Sequence, residues 1–246
     1  MKGGDALWFV QRCRAGTVRD AMDFGLSWLG EDHKPIEITH SKRLNTHLPN
    51  KDEADRKENA LRLWRESQSA RGTLVEIYLR RRCVWPRDPV ADIRFHPSCP
   101  MGKGLRLPVM IALMRNILTG EPQAIHRTAL LADGSWKHAV GKKMLGPKSG
   151  AAIMLSPPED VGTGLSISEG IENALTAMCG GWRPAWVAGD AGGVEVFPVL
   201  DGVEHLTIFA DADDTGRGIA AARTCARRWQ EVGRIATVKI PPLGKD

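Results

Sequence analysis

The sequence has 246 residues, of which 42% are hydrophobic and 26% are charged, and its formal net charge is +5. A chain of this length and composition forms one large or two small cores, and we expect two main folded parts. No run of about 18 or more apolar residues is present, and the amino terminus lacks the charged-then-apolar layout of a secretory signal. These features argue against a membrane-spanning protein and predict a cytoplasmic location.

The charges are distributed unevenly along the chain. Residues 71–150 carry 14 basic and 5 acidic side chains, a net +9, whereas residues 151–246 carry 8 basic and 13 acidic ones, a net −5. This asymmetry predicts that the middle of the chain attracts phosphates and that its end attracts cations. A solvated basic face is the alternative interpretation of the middle segment.

The cysteines do not form a recognisable metal-binding pattern. The five are Cys13, Cys83, Cys99, Cys179 and Cys225. They include no Cys-x-x-Cys pair and no Cys/His grouping at zinc-finger spacing, so zinc is not expected within this chain. Reduced core thiols are the simpler interpretation.

The first 50 residues predict two short helices and a linker. Asp5 precedes an apolar stretch that fits a capped helix, and Thr17 with Asp20 resembles a capping box that opens a second one. Polar residues without periodicity dominate residues 31–50, which indicates a long loop. We therefore treat residues 1–50 as a short helical unit with its linker.

Residues 51–160 predict a mixed α+β subdomain that begins with helices. Residues 51–70 are charged and broadly helical, and Thr73 with Glu76 forms a capping-box pattern ahead of a second helix. The triple arginine at residues 80–82 follows, where a helix C-terminus favours positive charge.

The second half of this subdomain predicts an antiparallel sheet. Prolines interrupt the chain repeatedly between residues 86 and 108, so the first strand is expected only from residue 109. Residues 109–114 and 123–128 predict two strands, and the segment between them has the composition of a hairpin turn. We expect the face of this sheet to be basic.

Residues 161–246 show a different pattern, in which short apolar runs alternate with helical segments. The predicted strands are residues 165–168, 185–188, 206–210 and 236–240, and the predicted helices are residues 171–178 and 217–231. Such alternation is typical of parallel βαβ units. The end of the chain is therefore expected to form a parallel sheet flanked by helices.

Three carboxylates follow the strands of this predicted sheet. Glu169 comes directly after the first strand, and Asp211 and Asp213 come directly after the third. The carboxyl ends of parallel strands are where α/β sheets bind ligands. Clustered carboxylates repel one another unless a cation neutralises them, and Mg²⁺ accepts such ligands together with phosphates. The alternative is that Asp213 and Asp214 cap the following helix.

These residues carry a resemblance to a known superfamily. Residues 169–175, Glu-Gly-Ile-Glu-Asn-Ala-Leu, and residues 209–216, Phe-Ala-Asp-Ala-Asp-Asp-Thr-Gly, resemble the paired Toprim motifs of bacterial-type primases, type IA and II topoisomerases and some nucleases. Residues 73–154 resemble the segment that precedes Toprim in primase-like proteins of phages and mobile elements. Many bacterial primases have an aspartate at the position of Asn173. The resemblance implies a Toprim fold, of the α/β class, preceded by the mixed α+β basic subdomain.

The resemblance also implies an activity. It points to a DNA primase, a DNA-directed RNA polymerase that makes short RNA primers on single-stranded DNA by two-metal phosphoryl transfer. Glu169, Asp211 and Asp213 would be catalytic and would hold Mg²⁺ or Mn²⁺. The implied partners are the template strand, nucleoside triphosphates and a replicative helicase, with no membrane. A Toprim nuclease and a non-catalytic nucleic-acid-binding module remain as alternatives.

Several residues are candidates for phosphate or nucleotide contacts. The basic candidates are Arg127, Lys142, Lys143 and Lys148, and the glycine-rich loop after the second parallel strand adds Asp190 and Gly192. For each basic residue taken alone, we favour the interpretation as a solvated surface side chain over a phosphate contact. For His126 we favour a structural role in a strand over phosphate binding.

Overall fold

The computed structural model describes residues 51–86, 90–212 and 215–240. The two helices and the linker predicted for residues 1–50 lie outside the described residues. So does Asp213, together with Asp214.

Two helices open the described chain. Helix α1 spans Lys51–Glu66, and helix α2 spans Leu74–Arg81. The Thr73 hydroxyl accepts a hydrogen bond from the Val75 amide at 3.3 Å, and the Glu76 carboxylate accepts one from the Gly72 amide at 2.7 Å. The predicted capping box is therefore confirmed, with the glutamate reaching one residue further back than in the standard motif.

Five strands form the antiparallel part of the sheet. They are β1 (Gln68–Ser69), β2 (Ile93–Gly102), β3 (Leu105–Asn116), β4 (Pro122–Leu130) and β5 (Lys137–Leu145). Each strand pairs antiparallel with the next one along the chain. The predicted hairpin is confirmed as the β3–β4 pair.

The prediction that strands begin only at residue 109 is wrong. Strand β2 contains Pro97 and Pro100, and its pairing with β3 is irregular on both sides of the Cys99 position. On its other side β2 pairs with β1 only at Arg94 and Phe95. The prolines therefore lie at bulges and along an edge, where a missing N–H removes no regular ladder hydrogen bond.

Helices α1 and α2 cover opposite faces of this sheet. In β3 the odd-numbered residues of 109–114 pack in a cluster with Leu63 of α1, whereas the even-numbered ones pack in a cluster with Tyr78 of α2. Side chains alternate between the two faces of a strand, so this apolar run is buried from both sides. Full burial of each large side chain contributes about 1.5–3 kcal/mol.

The second half of the chain forms a mainly parallel part of the sheet. Its strands are β6 (Ala151–Met154), β7 (Gly164–Ser168), β8 (Ala185–Val187), β9 (His205–Phe209) and β10 (Ile235–Lys239), and its helices are α3 (Ile171–Cys179), α4 (Ala191–Glu195) and α5 (Arg217–Glu231). Strands β8, β7, β9 and β10 lie side by side in that order and are parallel. The four predicted strands and two predicted helices are confirmed.

Helices again cover both faces of this half. Leu175 of α3 packs in the same core cluster as Val187, whereas Trp229 of α5 packs in the cluster that contains Ile167 and Ile208. The buried face of α5 includes three alanines and Gly218, which let the helix approach the sheet closely. The predicted fold class, a parallel βαβ sheet flanked by helices after a mixed subdomain, is confirmed.

The two halves share one continuous sheet. Strand β6 pairs antiparallel with β3 on one side and with β8 on the other. Strand β6 thus pairs with a strand of the parallel part, although it lies before residue 160, the predicted domain boundary. The boundaries at 50 and 160 stay predictions. No helix in the described ranges is both long and apolar enough to cross a membrane.

Candidate metal and nucleotide site

Three chain segments leave the sheet at the carboxyl ends of its parallel strands, which we call the carboxyl edge of the sheet. Strand β7 lies between β8 and β9, and its last residue, Ser168, is aligned with Val187 and with Phe209. Because all three strands are parallel, Glu169, Asp190 and Asp211 follow them at the same edge. Neighbouring strands of a sheet are about 4.8 Å apart, so these loops lie side by side.

Asp211 is held by two helices. The side-chain amide of Asn173, in the first turn of α3, donates a hydrogen bond to Oδ1 of Asp211. On the other side Gly218 of α5 approaches so closely that a Cβ there would lie 2.5 Å from the Asp211 carbonyl oxygen. No side chain fits at residue 218 without a shift, so the glycine keeps α5 against this loop.

Glu169 faces the basic subdomain. Oε1 of Glu169 lies 3.9 Å from Nζ of Lys142, which belongs to β5. The Glu169 side chain is only 16% exposed, whereas that of Lys142 is 51% exposed. The distance of 3.9 Å is long for an ion pair. The partial burial of the Glu169 carboxylate, however, limits the screening of the interaction by solvent. Lys142 therefore places positive charge beside the predicted catalytic glutamate.

Asp190 has a structural role and a charged partner. Its carboxylate accepts a hydrogen bond from the Gly193 amide at 2.8 Å, which caps α4, and it forms an ion pair with Lys148. Burial acts to raise the pKa of Asp190, but Lys148 and the Gly193 amide outweigh it and hold the pKa below its usual range. Gly192 lies in the same turn, where an added Cβ would be 3.3 Å from Oδ1 of Asp190.

A third lysine–carboxylate contact links the two halves. Glu172 of α3 accepts a hydrogen bond from the Tyr78 hydroxyl at 2.6 Å and forms an ion pair with Lys137 at 2.8 Å. Burial acts to raise the pKa of Glu172, but Lys137 and Tyr78 outweigh it and lower the pKa. Burial and the nearby Glu172 carboxylate raise the pKa of Tyr78.

The sequence did not single out this trio. Two signals were available in it: Tyr78 is the only tyrosine of the chain, and Glu172 is the only charged residue of α3. Neither signal identifies Lys137 as the partner of Glu172, because these two residues are brought together only by the pairing of distant strands.

A cleft of about 570 Å³ lies between the basic subdomain and the loop after β8. Among its lining residues are four cationic side chains, Arg56, Lys142, Lys143 and Lys148, and two acidic ones, Glu53 and Asp190. Its volume is in the range of small-molecule sites. Its cationic lining suits a phosphate-bearing ligand.

His126 lines the same cleft from β4 and is buried. Burial, followed by the charge of Lys142, lowers its pKa to about 4. It is therefore neutral at pH 7, and its Nδ1 lies 3.5 Å from the Thr128 hydroxyl. These contacts agree with a structural role for His126 in its strand.

The predicted phosphate contacts fall into two groups. Lys142 and Lys148 stand beside carboxylates at the sheet edge, as described above. The Lys143 ammonium donates to the Met101 carbonyl at 2.7 Å, and the Arg127 guanidinium donates to the carbonyls of Pro100, at 2.6 Å, and Met144, at 3.3 Å. Arg127 is also buried. Its contacts hold β2, β4 and β5 together, which favours a structural role over phosphate binding.

The chemistry of the edge suits a hard cation. Carboxylate oxygens are the ligands that Mg²⁺ and Mn²⁺ accept, and Asn173 and Gly218 fix one of these carboxylates. Within the part of the chain that the structure describes, no three His, Cys, Asp or Glu side chains form a group that would hold a metal. The third predicted ligand, Asp213, lies outside that part.

Comparison with known families and proteins agrees with the fold. Residues 164–246 match the profile of the Toprim domain, and residues 54–155 match that of a domain of unknown function (DUF7146). No curated protein sequence matches the chain.

Two solved structures are similar to the chain. The crystal structure of the Aquifex aeolicus primase (zinc-binding and RNA polymerase domains) is similar over 100% of this chain and 66% of that one, with 15% sequence identity and a TM-score of 0.53. A DNA primase domain from Pseudomonas aeruginosa has 15% identity and a TM-score of 0.41, over 62% of this chain and 50% of that one. The chain thus spans slightly less than two thirds of the length of the Aquifex aeolicus primase structure.

The C-terminal part of the protein, residues 164–246, is a Toprim domain. Together with the preceding mixed subdomain, this part of the chain has a fold similar to that of the Aquifex aeolicus primase.

Proposed function

We propose that the protein is a DNA primase-type nucleotidyltransferase that joins ribonucleotides into short primers on single-stranded DNA. The observation that supports this most directly is the position of Glu169 and Asp211, which follow adjacent parallel strands of the Toprim domain. Asp213, two residues further on, is the third proposed catalytic residue. The mobile-element origin and a helicase partner are parts of the same proposal.

The charges around the edge support a substrate with several phosphates. Lys142 and Lys148 reach from the basic subdomain to Glu169 and Asp190. Both lysines also line the cleft beside that edge. In this proposal their ammonium groups leave the carboxylates and contact the triphosphate when a nucleotide binds.

Glu169, Asp211 and Asp213 would hold the divalent ions, Mg²⁺ or Mn²⁺. The bound ions would supply charge neutralisation at the reacting phosphate. Asn173 orients Asp211 through its hydrogen bond, and Gly218 keeps the loop in place. Precise placement of such groups matters because phosphoryl transfer depends mainly on positioning and electrostatic stabilisation.

The proposed reaction is an in-line displacement. The 3′-hydroxyl oxygen of one nucleotide forms a bond to the α-phosphorus of the next, the bond to pyrophosphate breaks, and the hydroxyl proton is lost to solvent. His126 does not supply the base in this scheme, because it is buried and already hydrogen-bonded within its strand.

A primer-synthesis assay tests the proposal. The full chain is incubated with labelled ribonucleoside triphosphates, single-stranded DNA and Mg²⁺ or Mn²⁺, and the products are separated by size. We expect di- to oligoribonucleotides with the wild type and none with Glu169→Gln, whereas Glu159→Gln, an exposed carboxylate in the turn before β7, should behave as wild type. Shortening of the DNA would indicate a nuclease, and absence of any product would indicate a binding module.

A further inference from the structure

A tryptophan and an arginine form a pair on the surface of the basic subdomain. Trp136, in the turn between β4 and β5, is 53% exposed, and the guanidinium carbon of Arg82 lies 4.9 Å from the centroid of its ring. A guanidinium over an indole face is attracted by the π-electrons of the ring. The pair takes no part in the site described above.

Backbone hydrogen bonds hold the turn that carries Trp136. The Leu131 amide donates to the Trp136 carbonyl at 3.0 Å, and the Gly134 amide donates to the Leu131 carbonyl at 2.9 Å. Gly134 is buried against α2, since an added Cβ there would lie 3.0 Å from the Leu74 carbonyl oxygen. The backbone of the turn is therefore held in place, which lowers the entropic cost of ordering this turn when a ligand binds.

Two of the three consecutive arginines at the end of α2 and just after it have acidic neighbours. Arg80 forms an ion pair with Glu76 at 2.7 Å, and Asp133 in the turn is the acidic neighbour of Arg81. The side chain of Arg82 makes no ion pair with any residue of the described ranges. Among the described residues, therefore, no carboxylate forms an ion pair that would compete with a phosphate for Arg82.

This pair is connected to the candidate active site. Trp136 directly precedes Lys137, whose ammonium lies 2.8 Å from Oε1 of Glu172. Glu172 is in the first turn of α3, which begins two residues after Glu169. A strand bound at Trp136 would thus approach the edge of the sheet where the carboxylates lie.

We infer that Trp136 and Arg82 form a binding site for single-stranded nucleic acid, in which a base stacks on the Trp136 ring and Arg82 contacts an adjacent phosphate. Unpaired bases expose their faces for stacking, whereas the bases of a duplex do not. Two exposed apolar side chains nearby, Ile77 and Leu131, would also suit a protein partner. The guanidinium of Arg82 over the ring favours the nucleic acid. The inference rests on the proposed function for the identity of the ligand.

Binding of fluorescently labelled dT12, measured by anisotropy, tests this site separately from catalysis. Trp136→Ala should weaken binding of dT12 roughly 5- to 100-fold, the range expected for loss of one base–aromatic stack. It should leave the salt dependence of binding unchanged. Arg82→Met should lower the slope of log K against log salt by about 0.7, as expected for one lost phosphate contact.

A twelve-residue abasic oligonucleotide separates stacking from charge. Trp136→Ala should leave its binding unchanged, whereas Arg82→Met should weaken it. Trp136→Phe should retain most of the affinity for dT12. Thermal unfolding of this variant, compared with that of the wild type, verifies that it folds. The matched control is Trp182→Ala, a second exposed tryptophan with a cation, Lys239, over its ring, but in the acidic half of the chain. This control should bind dT12 as wild type.

The inference is overturned if Trp136→Ala binds dT12 within twofold of wild type, or if it loses affinity equally for dT12 and the abasic strand. A change of oligomeric state in Trp136→Ala with unchanged dT12 affinity would assign the surface to a second copy of the chain instead. Failure of primer synthesis with the predicted dT12 results would refute the proposed function and leave this site intact.

Discussion

Asn173 donates a hydrogen bond from its side-chain amide to Oδ1 of Asp211, and this contact joins the first turn of α3 to the loop after β9. It fixes one proposed metal ligand without adding a negative charge. The many bacterial primases with aspartate at this position would instead place a second carboxylate beside the first.

The first prediction follows from this contact. Asn173→Asp replaces a donor by a like charge, so the metal-free protein should lose up to about 1 kcal/mol of stability, as expected for an exposed charged pair. Mg²⁺ should then stabilise the variant more than the wild type, because an extra carboxylate faces the ion. Thermal unfolding with and without Mg²⁺ measures both effects. Equal midpoints for Asn173→Asp and Asn173→Ala in both conditions would contradict the prediction.

The second prediction concerns Gly218. A methyl group there would collide with the backbone of Asp211, so Gly218→Ala should destabilise the fold by about 1–3 kcal/mol and displace the carboxylate. Denaturant unfolding and Mg²⁺ titration should both change. Gly162→Ala is the control, because a Cβ at Gly162 meets no atom within 4 Å. Wild-type behaviour of Gly218→Ala in both measurements would refute this role.

The third prediction is a pH dependence that involves Tyr78. Tyr78→Phe removes a hydrogen bond to the buried carboxylate of Glu172, which should cost about 1.5–3 kcal/mol at pH 7. Because the pKa of Glu172 is lowered by folding, its stabilising contribution is present above the ordinary glutamate pKa and is lost as the pH falls through the folded-state value. The difference between wild type and Tyr78→Phe in urea unfolding should therefore shrink as the pH falls below about 4.5. If the stability difference between the two proteins does not vary with pH, the Tyr78 hydroxyl does not stabilise the ionised form of Glu172.

The fourth prediction concerns His126, whose pKa is lowered from 6.5 to about 4. The unfolded state then takes up the proton first, so the stability is complete above about pH 6.5 and is lost as the pH falls towards 4. The total loss from this group is up to about 3 kcal/mol. His126→Asn should lack this component of the pH profile. An imidazole that titrates near 6.5 in the folded protein, as followed by NMR, would contradict it.

The sequence predicted the parallel half of the fold well because local signals there agree. Each strand from β7 onwards is a short apolar run, and α5 has its buried residues at helical spacing. Those elements fix the strand ends, so the placement of Glu169 and Asp211 at one edge could be predicted without any knowledge of tertiary contacts.

The antiparallel half was harder to predict. Strand β2 contains prolines that are tolerated only because they lie at bulges and at an edge, a property of pairing that no local pattern shows. Strand β5 carries three lysines and a glycine, so its alternation is weak. The three lysines that contact the Toprim carboxylates are on β5 or in the loop that follows it. Their partners could not be inferred, because strand register brings them together from 27 to 42 residues away.

The most direct test of the proposed metal site is a calorimetric titration of Mg²⁺ and Mn²⁺ into the wild type and Asp211→Asn, with thermal unfolding of both metal-free proteins. Asparagine removes a negative charge near Glu169 and retains the shape, so the metal-free variant should be as stable as the wild type or slightly more stable. Its affinity for the ions should fall about tenfold or more, together with nucleotide incorporation. Unchanged metal affinity and normal incorporation in Asp211→Asn would contradict the assignment of this carboxylate to the catalytic site.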